Sequence, residues 1–414
     1  MNGPTSFVVW VPVITIAVVA IVALVTVARA RSAATAVDFQ LAGRGIGVRM
    51  NALAICGDYV SAASFLGIAA VVYAIGLDGV WYATGFAAGF VPVALLAAAP
   101  MRRLGERTIP DFLARRYRSE RVRLVAVAVT ELVVLAYLVP QAVGAGIAWG
   151  LVTDRSLPGL SPYTTGIVVS TVAVMAIVVV GGMRGTTWTQ AFQFAVLLTV
   201  LTWLSIAVLA DGFSYDEAVG SLGDEPLRAI PEPVGRLDAS TPTGPIEVVD
   251  NHLGDGSARF DRPGARFDVL GQFSLVVTLV FGTVGLPHVM NRFFTSPSGR
   301  AARMTSAWVV AGIGAFYAMA VMLGTAARFY IEARADELGW LAEASVDGVL
   351  RVPEDAMLAM GRLFGGEIGL AVVATGAAIA IISTASGLVL AASASWGHDV
   401  YERYVNPVAS RRRA

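Results

Sequence analysis

Nine apolar stretches divide this chain, and each is long enough to cross a lipid bilayer. A membrane-spanning helix needs about 20 mainly apolar residues, and polar residues are concentrated between the stretches. The pattern therefore predicts an all-α protein that crosses the membrane many times. The stretches are residues 7–29, 47–76, 79–101, 122–152, 161–183, 186–210, 267–291, 303–330 and 355–400.

The composition indicates that lipid is the solvent for most of this chain. Hydrophobic residues make up 56% of the 414 residues, charged residues make up 14%, and the mean hydropathy is +0.69. Soluble domains carry about 25% charged residues. The formal net charge is zero, which gives no indication of a nucleic-acid partner. The single cysteine, Cys56, excludes an internal disulfide.

The first stretch and the arginines together predict a topology. Residues 7–28 are uncharged and exceed the roughly 7–15 apolar residues of a signal peptide, so a transmembrane helix is expected there. With the N-terminus outside, most arginines fall in cytoplasmic segments, as the positive-inside rule requires. The prediction is a multi-pass protein of the inner or plasma membrane with a cytoplasmic C-terminus.

Two polar segments interrupt the apolar pattern. Residues 102–121 carry Ile109, Phe112 and Leu113 at helical spacing, which predicts a short helix at the membrane interface. Residues 211–266 are rich in Asp, Glu, Gly and Pro, and such a loop is excluded from hydrocarbon because its backbone polar groups would be unsatisfied. It is expected outside the cell as a solvated lid or a disordered loop.

The second apolar stretch contains a group of polar and small residues. Asp58 follows Gly57, and Ser61 and Ser64 come next. Glycine and small polar residues favour a local break in a helix, which exposes carbonyls to a cation and N–H groups to an anion. The alternative is a small-residue helix interface with Asp58 near the membrane edge.

The seventh stretch carries the second predicted break. Gly282, Thr283, Gly285 and Pro287 lie within six residues and disfavour a continuous helix. His288 follows, either as a proton carrier or as a hydrogen-bonded structural group. Arg292 is placed at the end of this stretch, and no arginine is expected inside the membrane near either break.

The ninth stretch places Ser383 and Thr384 on one helical turn. Paired hydroxyls supply oxygen ligands to a hard cation, or they bond the carbonyl four residues earlier. Gln141, Gln190 and Gln193 are further polar residues within apolar stretches. Two interrupted segments, one in each half of the chain, are typical of transporters built from inverted repeats.

Motifs of enzymes are missing from the sequence. There is no phosphate-binding GxxxxGK[ST] loop and no GxSxG elbow. The three histidines, His252, His288 and His398, have no metal-ligand spacing with the lone cysteine. The chain is therefore not expected to be an enzyme.

Five motifs in order resemble the solute:sodium symporter family, and most closely its cation/acetate (monocarboxylate) branch. The resemblance runs from about residue 36 to 405. The motifs are GDYVSAASFLGIAA, GERTIPDFLARRY, GGMRGTTWTQ, FGTVGLPHVMNRFF and SASWGHDVY.

The resemblance implies a LeuT-type core of two inverted five-helix repeats. Residues 1–35 would be an extra N-terminal helix, followed by a first repeat, an external loop and three helices of the second repeat. The family has two further core helices after the point where this chain ends. The resemblance therefore leaves open whether this chain is active by itself. The remaining divisions are residues 36–210, 211–266, 267–400 and a basic cytoplasmic tail at 401–414.

The resemblance also implies binding residues. Sodium would be held by carbonyls of the first broken helix and by hydroxyls of the eighth core helix, at Gly57, Val60, Ala380, Ser383 and Thr384. We expect the solute carboxylate at the two breaks, beside Tyr59, Ser61, Ser64, Gln141, Gly282, Thr283 and Pro287.

One departure from the family bears on stoichiometry. Gln190 follows Trp188-Thr189, where some members have an aspartate that serves a second sodium, so one cation per cycle is expected. The predicted function is Na⁺-coupled import of a short monocarboxylate such as acetate, with H⁺ as the alternative ion. Propionate, pyruvate or proline transport, and a non-transporting fragment, are the alternatives. Oligomeric state is left open.

Overall fold

The computed structural model describes residue 21 and residues 36–104, 107–153, 156–228, 230 and 258–406. The predicted first transmembrane helix at 7–29 lies outside the described residues apart from Ile21, and so does the tail from residue 407. Within the described residues the chain is helical almost throughout, as the apolar pattern predicts.

The first half begins with a helix that bends sharply. Helix α1 covers Ala36–Leu41 and α2 covers Val48–Tyr59. Helix α3, Ala62–Ile75, departs from the direction of α2 by 83°. Val60 and Ser61 at the junction have extended backbone angles, so the break predicted in the second stretch is confirmed.

Helix α4, Leu77–Leu104, returns across the core, and the short helix predicted at the interface follows as α5, Ile109–Tyr117. Thr108 starts α5 because its Oγ1 accepts the Asp111 N–H at 3.2 Å. Arg118 ends it in the left-handed conformation. Helix α6, Glu120–Thr153, comes next.

Helix α7, Pro162–Ala210, contains both the fifth and the sixth predicted segments. Its 49 residues would measure about 74 Å at 1.5 Å per residue, more than twice the roughly 30 Å of a hydrocarbon core. Gly182 divides it with a non-helical backbone, φ 49° and ψ −154°. Only glycine adopts such angles readily, which explains the boundary between the two apolar stretches.

The segment after α7 is partly folded. Helix α8, Tyr215–Asp224, forms part of the polar loop. Helix α9, Val269–Val284, and α10, Pro287–Thr295, then meet at 41°, which confirms the second predicted break. Asp268 caps α9 through a 2.7 Å bond from the Gly271 N–H.

The remaining elements complete the bundle. Helix α11, Gly299–Arg334, precedes a small unit of α12, Gly339–Ala344, and a two-stranded antiparallel hairpin. The strands are β1, Ser345–Val346, and β2, Val349–Leu350. Helix α13, Pro353–Val405, is interrupted at Gly366 and becomes a π-helix from Ser395.

Five helices of the described chain are long and apolar enough to cross a membrane, or up to seven if each bent pair is one span. Their exposed side chains are large and apolar, for example Leu132 on α6 and Phe273 on α9. The main core lies where α2, α3, α7, α11 and α13 pack together. The chain is a multi-pass membrane protein.

Candidate ion and solute site

The break between α2 and α3 lies in the middle of the bundle, held against α7. A Cβ on Gly57 would lie 2.0 Å from the carbonyl oxygen of Gln190, so only glycine permits this approach of α2 to α7. Gln193, one turn further along α7, donates its Nε2–H to the Val60 carbonyl at 3.0 Å. The first predicted break is therefore built against two glutamines.

The hydroxyl pair of the ninth stretch faces this break. Thr384 donates its Oγ1–H to the carbonyl oxygen of Asp58 at 3.3 Å. Ser383 is fully buried, and its Oγ has no hydrogen-bond partner among the described residues. Ala380, one turn earlier on α13, is also fully buried. The structure thus brings Thr384 to the α2 backbone between the predicted ligands Gly57 and Val60.

Asp58 lies deep in the protein. Its side chain is fully buried, and its Oδ2 lies 3.2 Å from Nε of Arg292, which is 1% exposed. Gln190 donates its Nε2–H to the Oδ1 of Asp58 at 2.8 Å. Arg292 also donates to the Gln190 Oε1 and, at 2.6 Å, to Thr187 Oγ1.

The expectation that no arginine lies near the breaks is therefore wrong. Arg292 follows α9 and the second break, and the bend between α9 and α10 leaves its guanidinium beside the first break. A buried guanidinium is stable only when its donors are paired. Asp58, Thr187 and Gln190 provide that pairing.

The second break is connected to the first through Tyr59. Its hydroxyl lies 3.0 Å from Thr283 Oγ1, near the end of α9, and donates to the Phe86 carbonyl at 3.1 Å. Pro287 is buried in the first turn of α10, where a missing N–H costs nothing. Gly282, by contrast, is exposed on the surface of the described chain and does not join the buried polar groups.

Other predicted solute residues are buried nearby in the bundle. Ser64 Oγ lies 3.1 Å from the hydroxyl of Tyr317. Ser61 is fully buried at the junction, and Gln141 is 4% exposed with no hydrogen-bond partner for its Oε1 among the described residues. Tyr317 could not be assigned to the site from the sequence because no local motif marks it.

His288 is fully enclosed by protein. It is 2% exposed, its ring centroid lies 5.6 Å from that of Tyr137, and neither ring nitrogen has a hydrogen-bond partner within the described parts of the chain. The described contacts therefore do not support the prediction that His288 is a hydrogen-bonded structural group.

A second polar cluster joins α5, α6 and the end of α13. Asp111, His398 and Asp399 offer ligand atoms within 4.8 Å of one another, although sequence spacing gave no metal motif. The guanidinium of Arg123 contacts both carboxylates, at 3.0 Å from Asp111 and 2.6 Å from Asp399. The arrangement is an ion-pair network in which a cation is already supplied by the protein.

Comparisons with known proteins agree with this architecture. The family model described as the sodium:solute symporter family matches residues 39–413. An uncharacterized symporter of Bacillus subtilis is 32% identical over 381 residues, which cover 91% of this chain and 65% of that protein. A monocarboxylic acid transporter of Corynebacterium glutamicum is 31% identical over 385 residues, covering 91% and 64%.

The chain thus spans slightly less than two thirds of the length of these two relatives. Among solved structures, a Na⁺-coupled sialic acid symporter in a substrate-bound outward-open state superposes with a TM-score of 0.73. It is 15% identical, and the match covers 97% of this chain and 77% of that one. This likeness shows the LeuT-type fold. With the family match across nearly the whole chain, this protein belongs to the sodium:solute symporter family.

Proposed function

We propose that this chain forms the ion- and solute-binding core of a secondary transporter that couples Na⁺ entry to import of a short monocarboxylate such as acetate. The observation that carries the proposal is the hydroxyl pair on α13 that faces the break between α2 and α3. Thr384 reaches the Asp58 carbonyl, while the buried Oγ of Ser383 has no partner in the described chain.

The Na⁺ ligands in this proposal are neutral oxygens. They are the carbonyls of Gly57, Val60 and Ala380 and the hydroxyls of Ser383 and Thr384. A hard cation prefers oxygen ligands, and the extended backbone at Val60 removes this region from the regular helical hydrogen bonds. Na⁺ bound here would bridge α2 and α13 and stabilise the conformation in which they approach.

In this proposal the solute carboxylate binds at the start of α3. A helix N-terminus attracts anions through its free N–H groups and dipole. Tyr59, Ser61 and Ser64 supply hydroxyls there, and the bond between Tyr59 and Thr283 connects this region to the second break. Gln141 is the further candidate, and Pro287 belongs to the opposite wall. The monocarboxylic acid transporter among the relatives supports this solute class.

Na⁺ is favoured over H⁺ as the coupling ion by the partners of Asp58. A proton-binding carboxylate in a membrane must lose and regain its charge, and the charge of Asp58 is compensated by Arg292. His288 is then the residue through which H⁺ coupling would act. In both cases transport is directed inward, across a cell membrane, with the N-terminus outside.

The test is uptake of labelled acetate into proteoliposomes that contain the purified chain, with and without an inward Na⁺ gradient. Sodium-dependent accumulation in the wild type and its loss in Ser383→Ala are expected. Ser386→Ala is the matched control because Ser386 bonds the Ile382 carbonyl on its own helix at 2.7 Å, and uptake should persist. Unchanged sodium-dependent uptake in Ser383→Ala would disprove the ion site.

The same vesicles separate the alternative solutes. Unlabelled propionate, pyruvate or proline in excess should compete with labelled acetate only if the site accepts them. Competition by proline but not by propionate would contradict a monocarboxylate site. A folded sample that accumulates none of these solutes would indicate that the chain does not transport by itself.

A further inference from the structure

The cluster around Arg292 resembles the coordination of a cation by oxygens. The guanidinium contacts a carboxylate oxygen of Asp58, a hydroxyl oxygen of Thr187 and an amide oxygen of Gln190. All four side chains are at most 1% exposed. Carboxylate, hydroxyl and amide oxygens are ligands that hard cations take in proteins, and here a side-chain cation occupies their centre.

This cluster is directly connected to the proposed Na⁺ ligands. Asp58 accepts the Arg292 guanidinium with its carboxylate and the Thr384 hydroxyl with its backbone carbonyl. Gln190 donates its Nε2–H to the Asp58 carboxylate at 2.8 Å and to the Ser383 carbonyl at 3.3 Å. Two neighbouring positions therefore share helix α2: α7 and α10 complete the charged one, and α13 completes the neutral one.

Charge balance decides how many mobile cations this arrangement needs. A buried carboxylate without a counter-charge is strongly destabilising, because the protein interior does not replace its hydration. Without Arg292, Asp58 would have to be neutralised by a cation from solution. With Arg292 present, the carboxylate is compensated in every state in which the two residues remain in contact.

From these contacts we infer that the guanidinium of Arg292 is a tethered cation that takes the place of a second Na⁺. The inference rests on the proposed function and specifies its stoichiometry. The wild-type chain binds one Na⁺ at the neutral oxygens, and one Na⁺ with one monocarboxylate carries no net charge across the membrane. Removing the guanidinium leaves Asp58 to recruit a second cation.

Equilibrium binding of ²²Na⁺ to the purified chain tests this without knowledge of the solute. The variants are Arg292→Gln, which removes the charge, and Arg292→Lys, which keeps it. The double variant Asp58→Asn/Arg292→Gln removes both charges. The expected numbers of bound Na⁺ are one for the wild type, two for Arg292→Gln, one for Arg292→Lys and one for the double variant.

The outcomes separate this inference from the proposed function. A wild type that binds two Na⁺, or an Arg292→Gln that binds only one, overturns the tethered cation while leaving Na⁺ binding intact. A wild type that binds none overturns both. If Arg292→Gln unfolds without Na⁺, added Na⁺ should raise its unfolding temperature more than that of the double variant, because only Arg292→Gln keeps an uncompensated Asp58 carboxylate. Equal effects of Na⁺ on the two variants overturn the tethered cation. Loss of Na⁺ binding in the folded double variant would show that the Asp58 carboxylate is itself a ligand.

Vesicle measurements give a second readout. Acetate uptake by the wild type should be unaffected by an imposed membrane potential, and its Na⁺ dependence should have a Hill coefficient of about one. Potential-driven uptake by the wild type would contradict the inferred co-transport of one Na⁺ with one monocarboxylate.

Discussion

Arg123 Nη1 lies 2.6 Å from Asp399 Oδ1, although the two residues are 276 positions apart in the chain. Two residues at the start of α5 complete the contact: Thr108, just before the helix, donates to Asp399 at 2.5 Å, and Asp111, in its first turn, accepts from Arg123. The motif around Thr108 and the motif that contains Asp399 therefore form one buried network. This contact fixes the short helix α5 against the end of α13.

Replacing Arg123 should be strongly destabilising. Arg123→Gln would leave the carboxylates of Asp111 and Asp399, both fully buried, without their counter-charge. Breaking a buried ion pair from one side costs about 3–5 kcal/mol. The measurement is thermal unfolding in detergent, followed by the fraction of monodisperse protein on size exclusion.

The control for this prediction is Arg228→Gln. Arg228 pairs with Glu225 at 3.1 Å and with Glu332 at 3.2 Å, and its own side chain is 45% exposed, so the expected loss is about 0–1 kcal/mol. Equal losses in the two variants would show that burial does not determine the contribution of these pairs.

Acid should weaken the same network through Asp111. Burial by itself would raise the pKa of this carboxyl, but His398 and Arg123 lower the pKa well below its usual range. Because the folded pKa is depressed, Asp111 contributes its full stability above the unfolded value of about 4. That contribution is lost progressively as the pH falls below that value towards the folded pKa.

The measurement is the unfolding temperature of the wild type and Asp111→Asn from pH 5 down to pH 3. The difference between them at pH 5 should shrink below about pH 4. The comparison starts at pH 5 because the histidine His398, which lies 3.9 Å from Asp111, belongs to the residue type that changes charge nearer neutrality. A difference that instead grows on acidification would mean that the pKa of Asp111 is raised, contrary to its contacts with Arg123.

The predictable part of this structure follows from local properties of the sequence. Length and apolarity located the spans, and the composition around Val60 and Gly285 located the two breaks. Helix starts such as Thr108 and Pro162 are also local features, because capping involves only neighbouring residues. The Ser383/Thr384 pair stood out as two hydroxyls on one turn of an apolar segment, and the family resemblance then implied its role as Na⁺ ligands.

Contacts between distant residues could not be obtained in this way. The Arg292 guanidinium reaches Asp58 across 234 positions, and its place depends on how far the chain bends between α9 and α10. Hydropathy treats an arginine at the end of a segment as solvated, so the buried pair was missed. For the same reason, sequence gave no indication that Tyr317 contacts Ser64.

A methyl group at Gly57 should disrupt the ion site. In Gly57→Ala the new Cβ would lie 2.0 Å from the Gln190 carbonyl oxygen, and backbone atoms cannot yield as a flexible side chain does. Overpacking of this kind costs about 1–3 kcal/mol and would separate α2 from α7. The unfolding temperature and the amount of bound ²²Na⁺ should both decrease.

Gly314→Ala is the control for the effect of alanine in a helix. Gly314 lies within α11, and nothing lies within 4 Å of a Cβ built there. Alanine should be neutral or should stabilise by about 1 kcal/mol or less. If Gly57→Ala behaves like Gly314→Ala, the close packing of α2 on α7 is not needed for the fold.

Asp78 should determine how firmly the chain before α9 is held. Its buried carboxylate accepts the N–H groups of Gly264 at 2.9 Å and Arg266 at 2.7 Å, and the Gln272 amide at 2.8 Å. Charge-assisted hydrogen bonds of this kind are about twice as strong as neutral ones. In Asp78→Asn one acceptor oxygen becomes a donor that faces other donors, so the segment should detach.

Limited trypsin digestion measures that detachment, since Arg262 and Arg266 lie in the segment. Cleavage there should be at least several-fold faster in Asp78→Asn than in the wild type, because proteolysis follows local opening. Asp216→Asn, an exposed change on α8, should leave the rate unaltered. Equal cleavage in both variants and the wild type would mean that the segment is held by the packing of Phe260 rather than by Asp78. In that case Phe260→Ala, which removes a side chain 1% exposed, should accelerate cleavage instead.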